Sequence, residues 1–269
     1  MKKWMIMALT LMCMMLLAAC GKTSTGGDTS APQKEETTQV DATTETQTDT
    51  LESLPADSEN IQDKISFSGV ILSVQPRSNV WRYRLDNRTH SMTGYNIFLK
   101  GTAEGEEKEF AVAISEKQQQ KFRFHIGDEI SGTAWTKMYP KLEYADYYRV
   151  GGLKKISEAP APDEEAKSPW IGEVPDLSVY DWRGCRMLAA ASWKSKCFKC
   201  KWACMANVAI EYNWGVSQKF RYESFCYGPK SCKLYKMGKP RAVPYKDCGS
   251  SYDEGWLDDI CTERRGEDE

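Results

Sequence analysis

The segment that decides the fold spans residues 124–135 and reads Phe124-His125-Ile126-Gly127-Asp128-Glu129-Ile130-Ser131-Gly132-Thr133-Ala134-Trp135. It joins a Gly-Asp turn to a run that is typical of a β-strand. Directly upstream, Ser115 is a good N-cap for a short polar helix that continues to Phe122. The segment therefore predicts a short helix, a tight turn and a strand in succession.

Further strands are predicted on both sides of this segment. Residues 95–100 and 110–114 are strand-like runs around a Gly-containing turn at 101–107, and a β-rich run begins near residue 65. Downstream, residues 147–150 and 153–156 close the region. The order strand, strand, strand, helix, strand, strand suits a five-stranded Greek-key barrel.

The pattern Phe-x-x-Gly-Asp-x-Ile-x-Gly-x-Ala within 124–134 resembles the helix-to-strand turn of OB-fold domains. The resemblance implies an OB-like barrel over residues 61–157, of a class that binds oligonucleotides, oligosaccharides or proteins on one face. Interleaved basic and aromatic residues give a candidate binding face: Trp81, Arg82, Tyr83, Arg84, Arg88, Tyr95, Phe98 and Trp135. The alternative is that the aromatic residues are core and the arginines only keep the surface soluble.

The first twenty residues predict export. Lys2 and Lys3 precede a mostly apolar run at 4–19, which is short for a bilayer span and fits a secretory signal peptide. The sequence Leu17-Ala18-Ala19-Cys20 resembles the bacterial lipobox. That resemblance implies removal of residues 1–19, a lipid anchor on Cys20 and a location on the extracytoplasmic face of a membrane.

Two segments have the composition of connectors. Residues 20–60 are rich in Thr, contain no aromatic residue and carry nine acids against Lys22 and Lys34, so we predict a disordered tether with a reach of about 35 Å. Residues 158–180 contain four prolines and are predicted to link the barrel to a small Cys-rich α+β domain at 181–269.

Eight cysteines remain after the signal peptide and the anchor: Cys185, Cys197, Cys200, Cys204, Cys226, Cys232, Cys248 and Cys261. In an exported domain of this size they first suggest a disulfide scaffold. The spacing C-x2-C-x3-C within a predicted helix that continues to residue 214 would instead place three thiols on one face, where bridging is poor and a soft metal is favoured. No His follows residue 125, so the alternatives are a four-cysteine zinc site, an iron–sulfur cluster or thiol redox chemistry at Cys197 and Cys200.

Most of residues 65–269 also resembles a family that joins an OB-like domain to a Cys-rich tail and has no established activity. The matching motifs include Cys197-x2-Cys200-x-Trp202-x-Cys204 and Phe225-Cys226-Tyr227-Gly228-Pro229-x-Ser231-Cys232. The resemblance implies that the five cysteines Cys197, Cys200, Cys204, Cys226 and Cys232 form one metal site, with four ligands and one spare.

Charge is unevenly distributed in the C-terminal part. Residues 185–246 contain 13 Lys and Arg against Glu211 and Glu223, whereas residues 247–269 carry nine acids against Arg264 and Arg265. The basic block predicts a binding module for an anionic polymer or a protein partner, unless the acidic tail neutralises it. One alternative is a zinc-dependent protein that binds single-stranded nucleic acid, although the predicted extracytoplasmic location disfavours it. The other alternative is a thiol redox enzyme. On balance the sequence leans against an enzyme.

Overall fold

The computed structural model describes residues 62–82, 89–140, 142–160, 167–213, 217–238 and 254–265. The predicted signal peptide, Cys20 and the tether lie outside these residues. The described part is a β-rich α+β structure. Its strands are β1 (Lys64–Arg82), β2 (Thr89–Ala103), β3 (Glu106–Ile114), β4 (Glu129–Thr136), β5 (Tyr147–Ser157), β6 (Arg186–Leu188), β7 (Ala203–Asn213) and β8 (Ser217–Cys226). Its helices are α1 (Glu116–Phe122), α2 (Leu177–Arg183), α3 (Ala190–Ser192), which continues as a π-helical turn (Trp193–Cys197), and α4 (Glu254–Cys261).

Strands β1 to β5 form a closed ring. The 19-residue strand β1 pairs antiparallel with β2 along most of its length and with β4 along its first half. Strand β2 also pairs with β3, and β4 also pairs with β5. One parallel pairing between Val112 of β3 and Tyr147 of β5 closes the ring. Its interior is apolar because alternate side chains of each strand point inward. Fully buried examples are Ile71, Ile97, Leu99 and Ile130.

Helix α1 begins where the sequence predicts it. The Ser115 hydroxyl accepts a hydrogen bond from the Gln118 backbone N–H, and the Gln118 side chain accepts one from the Ser115 N–H in return. This reciprocal capping box satisfies two N–H groups at the helix start. The Gln118 side chain also donates to the Val150 carbonyl at 2.7 Å, which attaches the helix to β5.

Strands β6 to β8 extend the ring instead of forming a separate sheet. The end of β1, at residues 79–82, pairs in parallel with residues 207–210 of β7, and β7 continues antiparallel to β8 and β6. The helix predicted to continue to residue 214 is therefore wrong, because residues 203–213 form β7. Strand β7 lies between two neighbours and is buried on both faces at Val208, Ala209 and Ile210. A continuous apolar run of this kind has no periodicity that separates a strand from a buried helix.

The described part of the connector before α2 packs on the rest of the protein. The Trp170 carbonyl accepts a hydrogen bond from the Lys201 N–H at 2.9 Å, and the Tyr95 hydroxyl donates to the Pro175 carbonyl at 2.7 Å. The residues described in this connector therefore contact both the ring and the strands that extend it. Within the described residues, no helix has the length and apolar character that crossing a bilayer requires.

Candidate thiol site and lysine surface

Four cysteines line one small cavity, which we call the thiol cavity: Cys197, Cys200, Cys226 and Cys232. Cys197 ends the π-helical turn and Cys200 follows it by one turn, with the Cys200 N–H bonded to the Cys197 carbonyl. Cys226 ends β8, where it pairs with Ala203 at the start of β7. The pairing of β7 with β8 therefore brings the two cysteine motifs together.

Buried polar residues of β1 fix the turn that carries Cys197. The Phe198 carbonyl accepts hydrogen bonds from the Ser73 hydroxyl at 2.5 Å and the Gln75 amide at 2.6 Å. The indole N–H of Trp193 donates to Gln75 Oε1 at 3.1 Å. Both polar side chains of β1 are fully buried, so these bonds replace water and hold the turn against the ring.

The thiol cavity is closed and apolar apart from its sulfurs. Its volume is about 10 Å³, which is roughly the space of one water-sized sphere. The remaining wall is mainly apolar and includes Pro169, Trp170, Leu188 and Leu234. In this conformation the cavity has room for a single small occupant.

Cys204 lies on the other face of the sheet. Successive side chains of a strand point to opposite faces, so Cys204 diverges from Ala203 and Cys226. It packs with Val208 and Phe225 in the main core, and its Sγ lies 3.6 Å from the Ser78 hydroxyl. The structure therefore brings together four of the five cysteines predicted for one site and separates the fifth.

Burial raises the pKa of four cysteine thiols, Cys197, Cys200, Cys204 and Cys226, and keeps them protonated near neutral pH. Desolvation raises the pKa of Cys197 to about 11 and those of Cys200 and Cys204 to about 12. It also raises the pKa of Cys226. Low-pKa thiolates are the reactive form of cysteine, so Cys197 and Cys200 lack the activation that thiol redox enzymes need.

Hydrogen bonds oppose this effect at two sulfurs. The backbone groups of Trp202 and Trp170 hydrogen-bond to the Cys200 sulfur, and Gly228 does so at Cys226. Each of these contacts lowers the pKa of the thiol that receives it. In both motifs one donor lies two residues after the cysteine, so the turns themselves favour the thiolate form.

Arg186 supports the turn between Cys226 and Cys232. Its guanidinium donates to the carbonyls of Pro229 at 2.9 Å and Lys230 at 3.3 Å, and stacks on Tyr235 at 3.8 Å from the ring centroid. Its charge also lowers the pKa of Cys226. Arg186 therefore both shapes the second cysteine motif and stabilises negative charge on it.

No disulfide joins any two of the seven cysteines in the described residues, so the predicted disulfide scaffold is not formed among them. In the same part of the chain, no group of three or more His, Cys, Asp or Glu side chains is assembled to hold a metal ion. The four sulfurs thus share a cavity without being drawn to coordination distance. Cys248 lies outside the described residues.

The cysteine motifs carry a lysine surface, which we define as Lys194, Lys196, Lys199, Lys230, Lys233 and Lys236. These residues lie in the segments 189–202 and 227–238, neither of which contains an acidic residue. The side chains of Lys194, Lys196, Lys233 and Lys236 are exposed. Within the described part of the chain, none of the six lysines is ion-paired.

The binding face predicted on the ring is not assembled as the sequence suggests. Arg82 has a fully buried side chain that contacts the equally buried Glu223 carboxylate at 2.6 Å, so it cannot face a ligand. Tyr95 and Phe98 are core residues. Trp81 and Trp135 are half-buried, and Tyr83, Arg84 and Arg88 lie outside the described residues.

A Cys–His contact was missed by the sequence reasoning. Cys185 Sγ lies 2.8 Å from His90 Nε2, and His90 Nδ1 lies 3.1 Å from the Tyr227 hydroxyl. His90 lies on β2 and Cys185 lies just before β6, 95 positions away in the sequence, so no local motif indicates the pair. Cys185 is only 1% exposed, which shields its sulfur from solvent.

Comparison with known proteins adds no relative: no protein-family model matches the chain, and no curated protein or solved structure is similar to it.

Proposed function

We propose that this protein is a lipid-anchored, extracytoplasmic binding module that holds an anionic polymer on its lysine surface. The observation that carries the proposal is a group of six lysines, without ion pairs to described residues, on two segments that contain no acid. A group of cations without neighbouring acids attracts a polyanion over a distance that is set by the ionic strength. The lipobox supports the anchor at Cys20, and the acidic tether would keep the folded part away from the lipid.

The ring supports an OB-like interpretation of residues 61–157. Its strand order β1-β2-β3-β5-β4 with closure onto β1, and a helix between β3 and β4, agree with a five-stranded Greek-key barrel. In this proposal the barrel is a scaffold, because the polymer binds outside it. The buried Arg82–Glu223 pair joins that scaffold to the strands that carry the lysines.

The acidic tail does not cover the lysine surface through its described residues. Asp258 of α4 instead accepts hydrogen bonds from the Met187 N–H at 2.8 Å and the Tyr235 hydroxyl at 2.9 Å. These contacts use the carboxylate to attach α4 to β6. The positive charge of the lysine segments therefore remains available to an external partner.

Single-stranded nucleic acid is a poorer candidate, because its binding depends on aromatic side chains that stack on bases. The exposed aromatic residues of the described chain are Tyr139, Trp182 and Trp256, and none lies in the two lysine segments. A polymer of carboxylate- or phosphate-bearing units needs only cations, which these segments supply.

The test measures binding of polygalacturonate to the mature, detergent-solubilised chain. Replacing Lys194, Lys196, Lys233 and Lys236 by Gln removes four exposed charges, and exposed ion pairs contribute about 0.2–1 kcal/mol each. We therefore expect an affinity loss of about fourfold or more, and a weaker salt dependence. The matched control replaces four exposed lysines of the ring and α1 by Gln: Lys64, Lys100, Lys117 and Lys154.

Equal losses in the two quadruple variants would show that net charge alone, and not the lysine surface, drives binding. Stronger binding of oligo-dT than of polygalacturonate would favour the nucleic-acid alternative. The anchor has its own test: metabolic labelling with palmitate should mark the chain and should fail for Cys20→Ala. Unchanged membrane association of Cys20→Ala would contradict the proposed location.

A further inference from the structure

We propose that Cys197, Cys200, Cys226 and Cys232 bind one tetrahedral zinc ion, which clamps the two lysine segments to each other. The first pair of ligands comes from the segment 189–202, and the second pair comes from the end of β8 and the loop after it. A closed site with four cysteine ligands is the usual form of structural zinc. The site goes beyond the proposed function, and its existence does not depend on any polymer.

The size of the cavity favours a single ion. Its volume of about 10 Å³ accommodates about one water-sized sphere, so a single ion needs less rearrangement of the cavity than a cluster of several iron and sulfide ions. The wall around the sulfurs includes Trp170, Leu188 and Leu234, which exclude water. Such a closed, dry setting leaves no open coordination position and indicates a structural role.

The surroundings favour thiolates once a metal enters. Backbone groups of Trp202 and Gly228 already hydrogen-bond to the sulfurs of Cys200 and Cys226, in equivalent positions of the two motifs. Hydrogen bonds to ligating atoms are typical of the outer shell of a metal site. Arg186 and Arg265 lie near Cys226, and Lys196 lies near Cys197, so cations offset the two negative charges of a zinc ion with four thiolates.

Binding is coupled to proton release and to a small contraction. One Zn²⁺ displaces four thiol protons to solvent and forms four Zn–S bonds of about 2.3 Å, with no change of oxidation state. The sulfurs of the described residues are not yet at coordination distance, so they must move inward around the ion. Cys232 lies on the loop after β8 and is the most exposed of the four, so we expect the largest movement there.

Cys204 provides an internal control. It belongs to the same C-x2-C-x3-C motif, yet it lies in the main core on the opposite face of β7. A site chosen by sequence spacing alone would use Cys204, whereas a site chosen by the fold uses Cys226 and Cys232. Whether Cys204 is a ligand therefore distinguishes a site set by sequence spacing from a site set by the fold.

The experiment uses the full mature chain, purified in detergent with reductant and equilibrated with Zn²⁺ in one sample and with Co²⁺ in a second, metal-free sample. We expect one equivalent of bound Zn²⁺, four thiols that react with a thiol reagent only after chelation, and a thiolate-to-Co²⁺ charge-transfer band. Cys200→Ser and Cys226→Ser should lose the ion, while Cys204→Ala and Cys261→Ser should keep it. Circular dichroism identifies any variant that has not folded.

The wild-type stoichiometry decides the proposal even if a variant fails to fold. Absence of bound metal, with the four thiols either freely reactive or paired in two disulfides, would overturn it. Retention of zinc by a folded Cys226→Ser variant would do the same. Failure of the chain to bind polygalacturonate would contradict the proposed function and leave the zinc result unaffected. One expectation alone rests on the proposed function: chelation should weaken polygalacturonate binding, because it releases the clamp between the two lysine segments.

Discussion

The five-strand ring and the three strands that extend it are stabilised in different ways. The ring encloses side chains such as Ile71, Leu99 and Ile130, and its stability follows from apolar area removed from water. The extension joins the ring through the buried Arg82–Glu223 pair and carries five buried thiols, whereas β1–β5 contain no cysteine. The comparison teaches that one continuous sheet can combine a region stabilised mainly by apolar burial with a region that buries several thiols and a charged pair.

The junction between the two regions shows the contrast most sharply. Burial alone would raise the pKa of Glu223, but the charges of Arg82 and Arg221 outweigh it and lower the pKa. Arg82 ends β1 and Glu223 lies on β8, with β7 between them. The carboxylate therefore links the ring to β8 across the intervening strand β7.

The largest expected effect breaks this junction. Glu223→Gln removes the carboxylate that contacts Arg82 and Arg221 but leaves the buried guanidinium of Arg82, so we expect a loss of about 3–5 kcal/mol in the free energy of unfolding. Urea titration followed by tryptophan fluorescence measures it. Glu109→Gln, an exposed position on β3, is the control and should change stability by less than about 0.5 kcal/mol. Similar effects for the two variants would show that the extension does not depend on the ion pair.

The same contrast explains what could be predicted from the sequence. The ring strands and α1 were predictable, because they alternate in polarity or carry a local cap such as Ser115 with Gln118. Strand β7 was not, since its burial on both faces removes the periodicity on which the prediction depends. Arg82 was assigned to the surface because nothing near it in sequence indicates Glu223, 141 positions away.

The candidate site was predicted in part. Four of the five expected cysteines meet, because the pairing of Ala203 with Cys226 brings two motifs together. Cys204 is excluded from the thiol cavity because side chains alternate between the two faces of strand β7. A helical interpretation of that segment could not predict this alternation. The Cys185–His90 contact depends on long-range packing alone.

Alkaline pH should sharpen the comparison by destabilising the extension of the metal-free protein first. Burial raises the pKa of Cys200 and Cys204 in the folded state to about 12, so between about pH 9 and 12 the unfolded chain releases protons that the folded chain keeps. The contribution of these two thiols to the free energy of unfolding is therefore fully present below about pH 9 and is lost as the pH rises towards 12. The loss is about 1.4 kcal/mol per thiol for each pH unit in this window. Urea unfolding at pH 8, 9 and 10 measures the slope.

Cys204→Ala is the informative variant for this slope. It removes one titrating thiol, so its stability should decline less steeply with pH than that of the wild type, whatever its stability at pH 8. An unchanged slope would mean that the thiols do not control the alkaline response. Bound zinc should also flatten the slope, because the ligating thiols of Cys197, Cys200, Cys226 and Cys232 have then already lost their protons.

The smallest expected effect is confined to the ring. Ser115→Ala removes the hydroxyl that caps α1, and loss of such a cap costs about 1 kcal/mol. Ser115→Asp keeps an acceptor at the same position and should restore most of the stability. Because α1 packs on β2 and β5, and none of its residues lines the thiol cavity, the reactivity of Cys197 and Cys200 toward a thiol reagent should stay unchanged in both variants. A rise in their reactivity would show that the ring and its extension unfold as one cooperative unit, because local loss of the cap would then be transmitted to the thiols through the shared strand β1.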